Sequence, residues 1–209
     1  MWFKISSYFF KKIDITQKSG LFNFFKKKKI DIIIHLAAQA GVRYSLINPK
    51  KYVDVNILGF LNIIKLAKEK RIKKFIYASS SSVYGENKKF PLSENQSLNP
   101  KNIYGLSKQM NEQIASMYSK FFDLKCIGLR FFTIYGEWGR PDMFLFKLFK
   151  ASQQNKKFYL NNYGNHERDF TYIKDIVLIL EKFMKIKKFD HRIFNICSSR
   201  PINIRTLCY

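Results

Sequence analysis

Short apolar runs alternate along the chain with longer segments whose apolar residues recur at helical spacing. The short runs are rich in β-branched and aromatic residues, as buried parallel strands are, and they cover residues 31–36, 75–79, 125–131 and 192–196. The longer segments predict helices over residues 49–71, 104–122, 141–155 and 172–187. This alternation predicts an α/β protein with a Rossmann-like, doubly wound parallel sheet.

The ends of the predicted strands carry candidate chemistry. Ligands of doubly wound sheets bind beyond the carboxyl ends of the strands, where residues 37–41, 79–82 and 131–136 fall. Tyr104 and Lys108 lie four residues apart, on one face of the next predicted helix. A strand-end hydroxyl beside this phenol and ammonium would form a proton-transfer site. The same spacing relates Tyr8 to Lys12 and Tyr84 to Lys88, so context must choose among the three pairs.

The composition changes this picture only slightly. The formal net charge is +23, which invites a nucleic-acid or anionic-membrane function, but the lysines are spread along the chain. We interpret the charge as compositional drift plus attraction to anionic ligands, and keep a dedicated nucleic-acid surface as the less favoured alternative. The three cysteines are scattered, form no metal or redox pair, and fit a reducing cytoplasm. The apolar run 32–42 is too short and polar for a membrane span, and no signal-peptide cleavage site is evident.

Six segments in order resemble one known family. They are residues 35–45, 78–85, 104–108, 129–136, 138–143 and 168–172. The chain resembles the extended short-chain dehydrogenases/reductases of the nucleotide-sugar epimerase/dehydratase type, and among them the UDP-glucuronate 4-epimerases. The resemblance implies NAD as the cofactor and selects Tyr104 over the other tyrosines.

The resemblance implies a catalytic set. Tyr104 would be the general base, although a free phenol has a pKa of about 10. The Lys108 ammonium and the positive nicotinamide would lower that pKa, and Lys108 would also bind the nicotinamide ribose. Ser80 would face the 4-oxygen of the sugar, with Ser81 as the close competitor.

The remaining implied contacts concern the cofactor and the substrate. The expected cofactor-binding residues are Asp14 near adenine, Ala37, Ala38, Asn56, Ser79 and Phe131, together with Tyr104 and Lys108. For Ser79 a simple strand-end cap is the alternative. Among the expected substrate-binding residues, Thr133 and Arg140 would bind the sugar carboxylate, and Arg43 would line the same pocket. Arg168 would bind the diphosphate, and a surface ion pair with Asp169 is the alternative for this arginine.

The implied reaction is the conversion of UDP-glucuronate to UDP-galacturonate by transient oxidation at carbon 4. Related 4,6-dehydratases carry an Asp-Glu pair where this chain has Ser81 and Ser82, so dehydration is disfavoured. Another nucleotide-sugar epimerase or a decarboxylase stays open, as does an inactive fragment or pseudoenzyme. The family further implies a cytoplasmic homodimer, with no specific nucleic acid and no membrane.

One family feature is missing from the sequence. No Gly-xx-Gly-xx-Gly turn, which would bind the pyrophosphate, occurs in the 209 residues. We therefore expect a sheet without the first βαβ unit, an incomplete NAD-binding Rossmann domain over residues 1–155, and the start of a substrate-binding region over residues 156–209. Strand 31–36 would then be an open edge, partly filled by residues 2–10, and the isolated chain would bind NAD poorly and turn over little substrate.

Overall fold

A four-stranded parallel sheet forms the centre of the molecule. The computed structural model describes residues 8–87, 89–187 and 189–208. Its strands are β1 (Ile32–His35), β2 (Lys74–Ser80), β3 (Cys126–Phe131), β4 (Thr133–Tyr135), β5 (Glu167–Tyr172), β6 (His191–Ile196) and β7 (Pro201–Asn203). The central sheet has the order β1-β2-β3-β6, and every neighbouring pair in it is parallel. The predicted parallel α/β architecture is confirmed.

Helices cover the sheet. They are α1 (Lys18–Phe25), α2 (Val42–Ile47), α3 (Pro49–Tyr52), α4 (Phe60–Glu69), α5 (Ile103–Phe122), α6 (Phe144–Gln153), α7 (Ile173–Lys185) and α8 (Ile204–Leu207). The predicted helices over 104–122, 141–155 and 172–187 correspond to α5, α6 and α7. Tyr172, predicted as helical, is instead the last residue of β5.

The long helix predicted over residues 49–71 is interrupted. Pro49 begins α3, where Asn48 accepts a hydrogen bond from the Lys51 amide through its side chain (3.2 Å). A stretch of π-helix, Val53–Gly59, then joins α3 to α4. Such wide turns are rare and often occur at functional sites. Hydrophobic spacing alone does not reveal them.

Two apolar cores lie on opposite faces of the sheet. Along β2 the side chains alternate, so Phe75 and Tyr77 pack into the core with α1, α4 and α5, whereas Ile76 packs against Ile127 and Ile176 on the other face. Burial on both faces explains why these strands are continuous apolar runs in the sequence.

Strand β1 is an edge of the central sheet within the described residues, pairing only with β2. Ile34 and Leu36 are correspondingly exposed, at 36% and 51%. The segment expected to fill this edge begins at residue 2, and its first part, residues 2–7, lies outside the described residues. Its remainder, Tyr8–Phe10, is exposed and forms no strand.

A smaller sheet was not predicted. Its order is β4-β5-β7, with β4 and β5 parallel and β5 and β7 antiparallel. These strands have three to six residues and are partly exposed, so they carry little apolar periodicity.

None of the described helices combines the length and apolarity that crossing a bilayer requires.

Candidate active site

A cavity of about 590 Å³ opens at the carboxyl ends of β1, β2 and β3. Parallel strands place all their carboxyl ends at one edge, and that edge is where ligands of such sheets bind. Eight of the residues selected from the sequence line this cavity: Ala38, Ser79, Ser80, Tyr104, Lys108, Phe131, Thr133 and Arg140. Sequence segments separated by up to a hundred residues therefore meet at one place.

Helix α5 delivers Tyr104 and Lys108 to the cavity. Asn102 caps the helix, because its side-chain oxygen accepts a hydrogen bond from the Gly105 amide (2.8 Å). A Cβ atom at position 105 would lie 2.6 Å from the Ser82 carbonyl oxygen, so only glycine lets the helix approach the strand-end turn this closely. The helix start is thus fixed against the serine run.

Lys108 is an almost completely buried cation. It is 3% exposed, and its Nζ donates a hydrogen bond to the Ala78 carbonyl oxygen at 2.9 Å. Burial lowers the pKa of Lys108 to about 8, because removing the ammonium from water disfavours its charge. Lys108 is therefore still mostly a cation at neutral pH, and it is held at the end of β2.

The surroundings of the Tyr104 phenol differ in part from expectation. Burial raises its pKa, a hydrogen bond with Ser80 and the charge of Arg140 lower it, and Tyr52 raises it. Arg140 is thus one cation that favours the phenolate. Lys108, expected in that role, donates a hydrogen bond to the Ala78 carbonyl, and its effect on the pKa of Tyr104 stays a prediction.

The structure distinguishes the members of the serine run. The Ser79 hydroxyl donates its proton in a hydrogen bond to Glu112 Oε1 at 2.6 Å, so it cannot donate the same proton to a ligand in the cavity. Ser80 lines the cavity, its Oγ accepts a hydrogen bond from the Ser82 amide (3.2 Å), and its hydroxyl lowers the pKa of Tyr104. Ser81 lies in the 3₁₀ turn Ser81–Val83 and does not line the cavity. Ser80 is therefore the hydroxyl best placed for chemistry.

Sequence reasoning missed a buried ion pair below this site. Arg130 and Glu112 have side chains that are 3% and 5% exposed, and Glu112 also receives the Ser79 hydroxyl. The sequence did contain an indication of this ion pair, because Arg130 lies within the apolar run that predicts the strand over residues 125–131. Arginine is almost never fully buried without a partner, so its position predicts a buried acid nearby.

Another part of the cavity lining combines a cation with aromatic rings. Arg140 follows β4, its Nε pairs with Asp142 Oδ1 at 3.1 Å, and its Nη2 donates to Met143 Sδ at 3.4 Å. Thr133 begins β4. The lining near them is largely apolar and includes Phe132, Trp138, Phe144, Phe146, Phe149 and Phe170. A guanidinium in apolar surroundings suits an anionic ligand such as a carboxylate.

Three expected cofactor-binding residues lie outside the cavity lining. Asp14 is exposed and accepts hydrogen bonds from the Thr16 amide (2.9 Å) and hydroxyl (2.8 Å). Ala37 is exposed. Asn56 is 1% exposed, and its side chain bonds the main chain of Gln39 and the Ser107 hydroxyl. Their contacts with a cofactor stay predictions.

Two expected substrate-binding residues are also outside the lining. Arg43 is exposed on α2. Arg168 is exposed on β5 and donates to the Glu167 carbonyl at 3.2 Å. Asp169, the alternative partner of Arg168, accepts from the Ser198 amide at 2.7 Å and the Arg200 amide at 3.1 Å. The roles of both arginines stay predictions.

Comparison with known proteins identifies the family. The family model described as "NAD dependent epimerase/dehydratase family" matches residues 2–197. The chain belongs to the NAD-dependent epimerase/dehydratase family. This membership confirms the predicted resemblance, and the small Ala38, the buried Lys108 cation and the Tyr104 phenol fit the nicotinamide end of the family's cofactor.

Individual relatives give a finer view of the epimerase family. An uncharacterized protein of Methanocaldococcus jannaschii is 48% identical over 199 residues, covering 95% of this chain and 61% of that protein. A probable UDP-glucuronate 4-epimerase of Rhizobium meliloti is 46% identical over 148 residues, covering 70% of this chain and 43% of that protein. The chain therefore spans less than two thirds of the length of these relatives.

A solved structure of the same family agrees with the fold. The UDP-glucuronic acid 4-epimerase of Bacillus cereus, in complex with UDP-glucuronic acid and NAD, superposes with a TM-score of 0.83 at 34% identity. The match covers 92% of this chain and 60% of that protein. The Rossmann-like fold of the epimerases is thus present in the matched part.

Proposed function

We propose that this chain carries the proton-transfer site of an NAD-dependent 4-epimerase acting on a UDP-hexuronic acid, converting UDP-glucuronate to UDP-galacturonate. The observation that supports the proposal is one cavity whose lining contains both Ser80, Tyr104 and Lys108 and the pair Arg140 and Thr133. The first group suits proton removal from a sugar hydroxyl, and the second suits a sugar carboxylate.

The proton chemistry belongs to Ser80 and Tyr104. The Tyr104 phenolate accepts the proton of the sugar 4-hydroxyl, and the Ser80 hydroxyl donates a hydrogen bond to the same sugar oxygen. The Arg140 charge and the Ser80 hydrogen bond offset part of the rise that burial causes in the pKa of Tyr104. NAD, when bound, would supply the hydride acceptor and donor for carbon 4, and return of the hydride to the other face of the keto sugar would invert that carbon.

The carboxylate contact has a chemical purpose. Oxidation at carbon 4 turns a hexuronic acid into a β-keto acid, which loses CO₂ when its carboxylate bond aligns with the carbonyl π system. An arginine fork and a threonine hydroxyl can hold the carboxylate out of that alignment. That Arg140 and Thr133 both line the cavity supports this role.

The assembly and location of the protein are part of the proposal. We propose a homodimer that packs residues 50–70 and 104–122 against their mates, a cytoplasmic location, and a division at residue 155 between the cofactor-binding and substrate-binding regions. Exposed apolar side chains on these segments support the dimer: Val53, Leu58, Leu61, Leu106, Met117 and Phe121.

Product analysis tests the proposal. The purified chain is incubated with UDP-glucuronate and excess NAD, and UDP-galacturonate is measured by chromatography. Tyr104→Phe, which keeps the ring and removes the acid–base hydroxyl, should reduce turnover by about a hundredfold or more. Release of CO₂ would assign a decarboxylase, and epimerisation of UDP-glucose in place of UDP-glucuronate would assign a neutral-sugar epimerase.

An inactive fragment or pseudoenzyme is the second candidate. The observation that favours it is the absence of a Gly-xx-Gly-xx-Gly turn in the 209 residues, from which we expect weak NAD binding. Calorimetry separates the two candidates. Binding of UDP-glucuronate without turnover at saturating NAD would support the fragment, and turnover at ordinary enzyme rates would exclude it.

A further inference from the structure

A second tyrosine lies directly behind the candidate site. Tyr52, the last residue of α3, is 0% exposed. Its hydroxyl donates to the main chain of the turn that follows β1, with the Gly41 carbonyl oxygen as the nearer acceptor and the Ala40 carbonyl oxygen at 3.0 Å. A buried hydroxyl shared between two consecutive carbonyls fixes the position of that turn.

The same turn borders both the cavity and Arg140. Ala40 lines the cavity. Gly41 has a φ of 107°, a conformation that L side chains rarely adopt, and a Cβ atom there would lie 3.6 Å from the Tyr52 hydroxyl and 3.9 Å from Arg140 Nη1. The turn therefore lies close to both the Tyr52 hydroxyl and the Arg140 guanidinium.

Tyr52 also contacts the candidate base. The rings of Tyr52 and Tyr104 meet edge-to-face, with centroids 6.2 Å apart and an interplanar angle of 77°. Burial raises the pKa of Tyr52, although the charge of Arg140 opposes this. The Tyr52 hydroxyl donates to the carbonyl oxygens of the turn, so it acts there as a hydrogen-bond donor.

We propose that Tyr52 is a positioning residue that sets the affinity of the site for the sugar carboxylate. Its hydroxyl holds the Ala40–Gly41 turn against Arg140, whose side chain is 44% exposed and whose Nε is paired with Asp142. Without that hydroxyl the turn relaxes, and the guanidinium loses the surface that limits its positions. This inference rests on the proposed function, because it assumes that Arg140 binds a carboxylate.

The test compares two ligands that differ at the carboxylate. The dissociation constants of UDP-glucuronate and UDP-glucose are measured by calorimetry for the full chain and for Tyr52→Phe. We expect binding of UDP-glucuronate to weaken about five- to tenfold, as for the loss of one buried hydrogen bond, and binding of UDP-glucose to change less than about twofold. A purely structural role would weaken both ligands equally.

Two further variants sharpen the comparison. Tyr44→Phe is the matched control. The Tyr44 ring centroid lies 6.2 Å from that of Tyr52, and its hydroxyl makes no hydrogen bond within the described part of the chain. The affinities of this variant for UDP-glucuronate and UDP-glucose should therefore not change. Gly41→Ala disturbs the same turn from the other side and should reproduce the selective loss, which keeps the test open if Tyr52→Phe does not fold.

The outcomes are distinguishable. Equal weakening of both ligands in either variant, or no change in Tyr52→Phe, overturns the positioning role while leaving the proposed function intact. Failure of the parent chain to bind UDP-glucuronate at all overturns the carboxylate site and, with it, this inference.

Discussion

Glu112 accepts two parallel hydrogen bonds from the Arg130 guanidinium in the interior of the protein. The Arg130 Nε to Glu112 Oε1 distance is 2.9 Å, and the Nη2 to Oε2 distance is 2.8 Å. Burial alone would lower the pKa of Arg130, but the hydrogen bonds and charge of Glu112 outweigh it and raise that pKa. The fork connects β3 to helix α5, and the Ser79 hydroxyl at the end of β2 donates to the same carboxylate.

Replacing Glu112 by Gln should be strongly destabilising. The amide keeps the shape of the side chain but leaves the Arg130 charge buried without a counter-charge, which costs about 3–5 kcal/mol in comparable pairs. Urea unfolding at neutral pH measures the change. Asp54→Asn, which breaks the exposed ion pair with Lys50, is the control and should cost less than about 1 kcal/mol. A loss within 1 kcal/mol for Glu112→Gln would contradict the expectation.

Replacing Gly128 by Ala should also destabilise the fold. A Cβ atom there would lie 2.6 Å from the Tyr77 hydroxyl oxygen, and that hydroxyl is hydrogen-bonded to His191 Nε2 at 2.8 Å, so the ring cannot easily move aside. Overpacking of this kind costs about 1–3 kcal/mol.

Gly20→Ala is the matched control for Gly128→Ala. Gly20 lies in α1, and an added Cβ atom would have nothing within 4 Å. It should stabilise the protein by up to about 1 kcal/mol, because alanine favours the helix. Two Gly→Ala changes of opposite sign would show that the contact with Tyr77 decides the outcome, whereas equal effects in thermal unfolding would argue against it.

The convergence of Ser80, Tyr104 and Lys108 could be predicted from the sequence. Parallel strands bring their carboxyl ends together, and a four-residue spacing places a phenol and an ammonium on one helix face. Both rules are local or topological, so they need no side-chain packing. They fit three Tyr–Lys pairs equally well, however, and it is the resemblance to the family that selects Tyr104 and Ser80. The shorter strands of the second sheet escaped prediction because they lack a buried face of their own.

Other parts of the site depend on contacts that no spacing encodes. Which serine keeps its hydroxyl proton available to a ligand depends on the Glu112 carboxylate, which accepts a hydrogen bond from the Ser79 hydroxyl. That Arg140 acts on the pKa of Tyr104 depends on a loop more than thirty residues away in the sequence. These contacts between side chains are set by tertiary packing, and they cannot be predicted from the periodicity of the sequence.

The buried His35 should make folding sensitive to acid. Burial, and secondarily the Lys108 charge, lower the pKa of His35 to about 3 from the 6.5 of a free histidine. Below pH 6.5 the unfolded chain therefore binds the proton more readily than the folded chain, so stability is lost as the pH falls. Each unit corresponds to about 1.4 kcal/mol, which gives a loss of about 2 kcal/mol between pH 6.5 and 5.0.

Urea unfolding at pH 7.5 and pH 5.0 tests the role of His35. His35→Gln should lose about 2 kcal/mol less than the parent chain over this interval, whatever its stability at pH 7.5. His166, which is only partly buried, provides the control, and His166→Gln should retain most of the acid loss. An acid loss in His35→Gln equal to that of the parent would assign the effect to other groups, such as the carboxylates or His191, whose pKa burial also lowers.

Replacing Arg140 by Gln should move the pH dependence of turnover to higher pH. The reaction needs the Tyr104 phenolate, so the rate rises as the pH passes through the pKa of Tyr104. Arg140 lowers that pKa, and its removal therefore raises it. In kcat/KM for UDP-glucuronate, which reports the free enzyme, the rising limb should shift toward alkaline pH.

The position and the height of that profile report different roles of Arg140. The height should fall about tenfold or more, because a charge-assisted contact with the carboxylate is lost. Arg192→Gln, which removes an exposed arginine at the start of β6, should change neither quantity. Arg140→Gln could instead lower the maximum kcat/KM without shifting the pH at which kcat/KM rises. The guanidinium would then bind the carboxylate without changing the pKa of Tyr104. In that case the phenol would depend on Ser80 and the bound cofactor alone for its acidity.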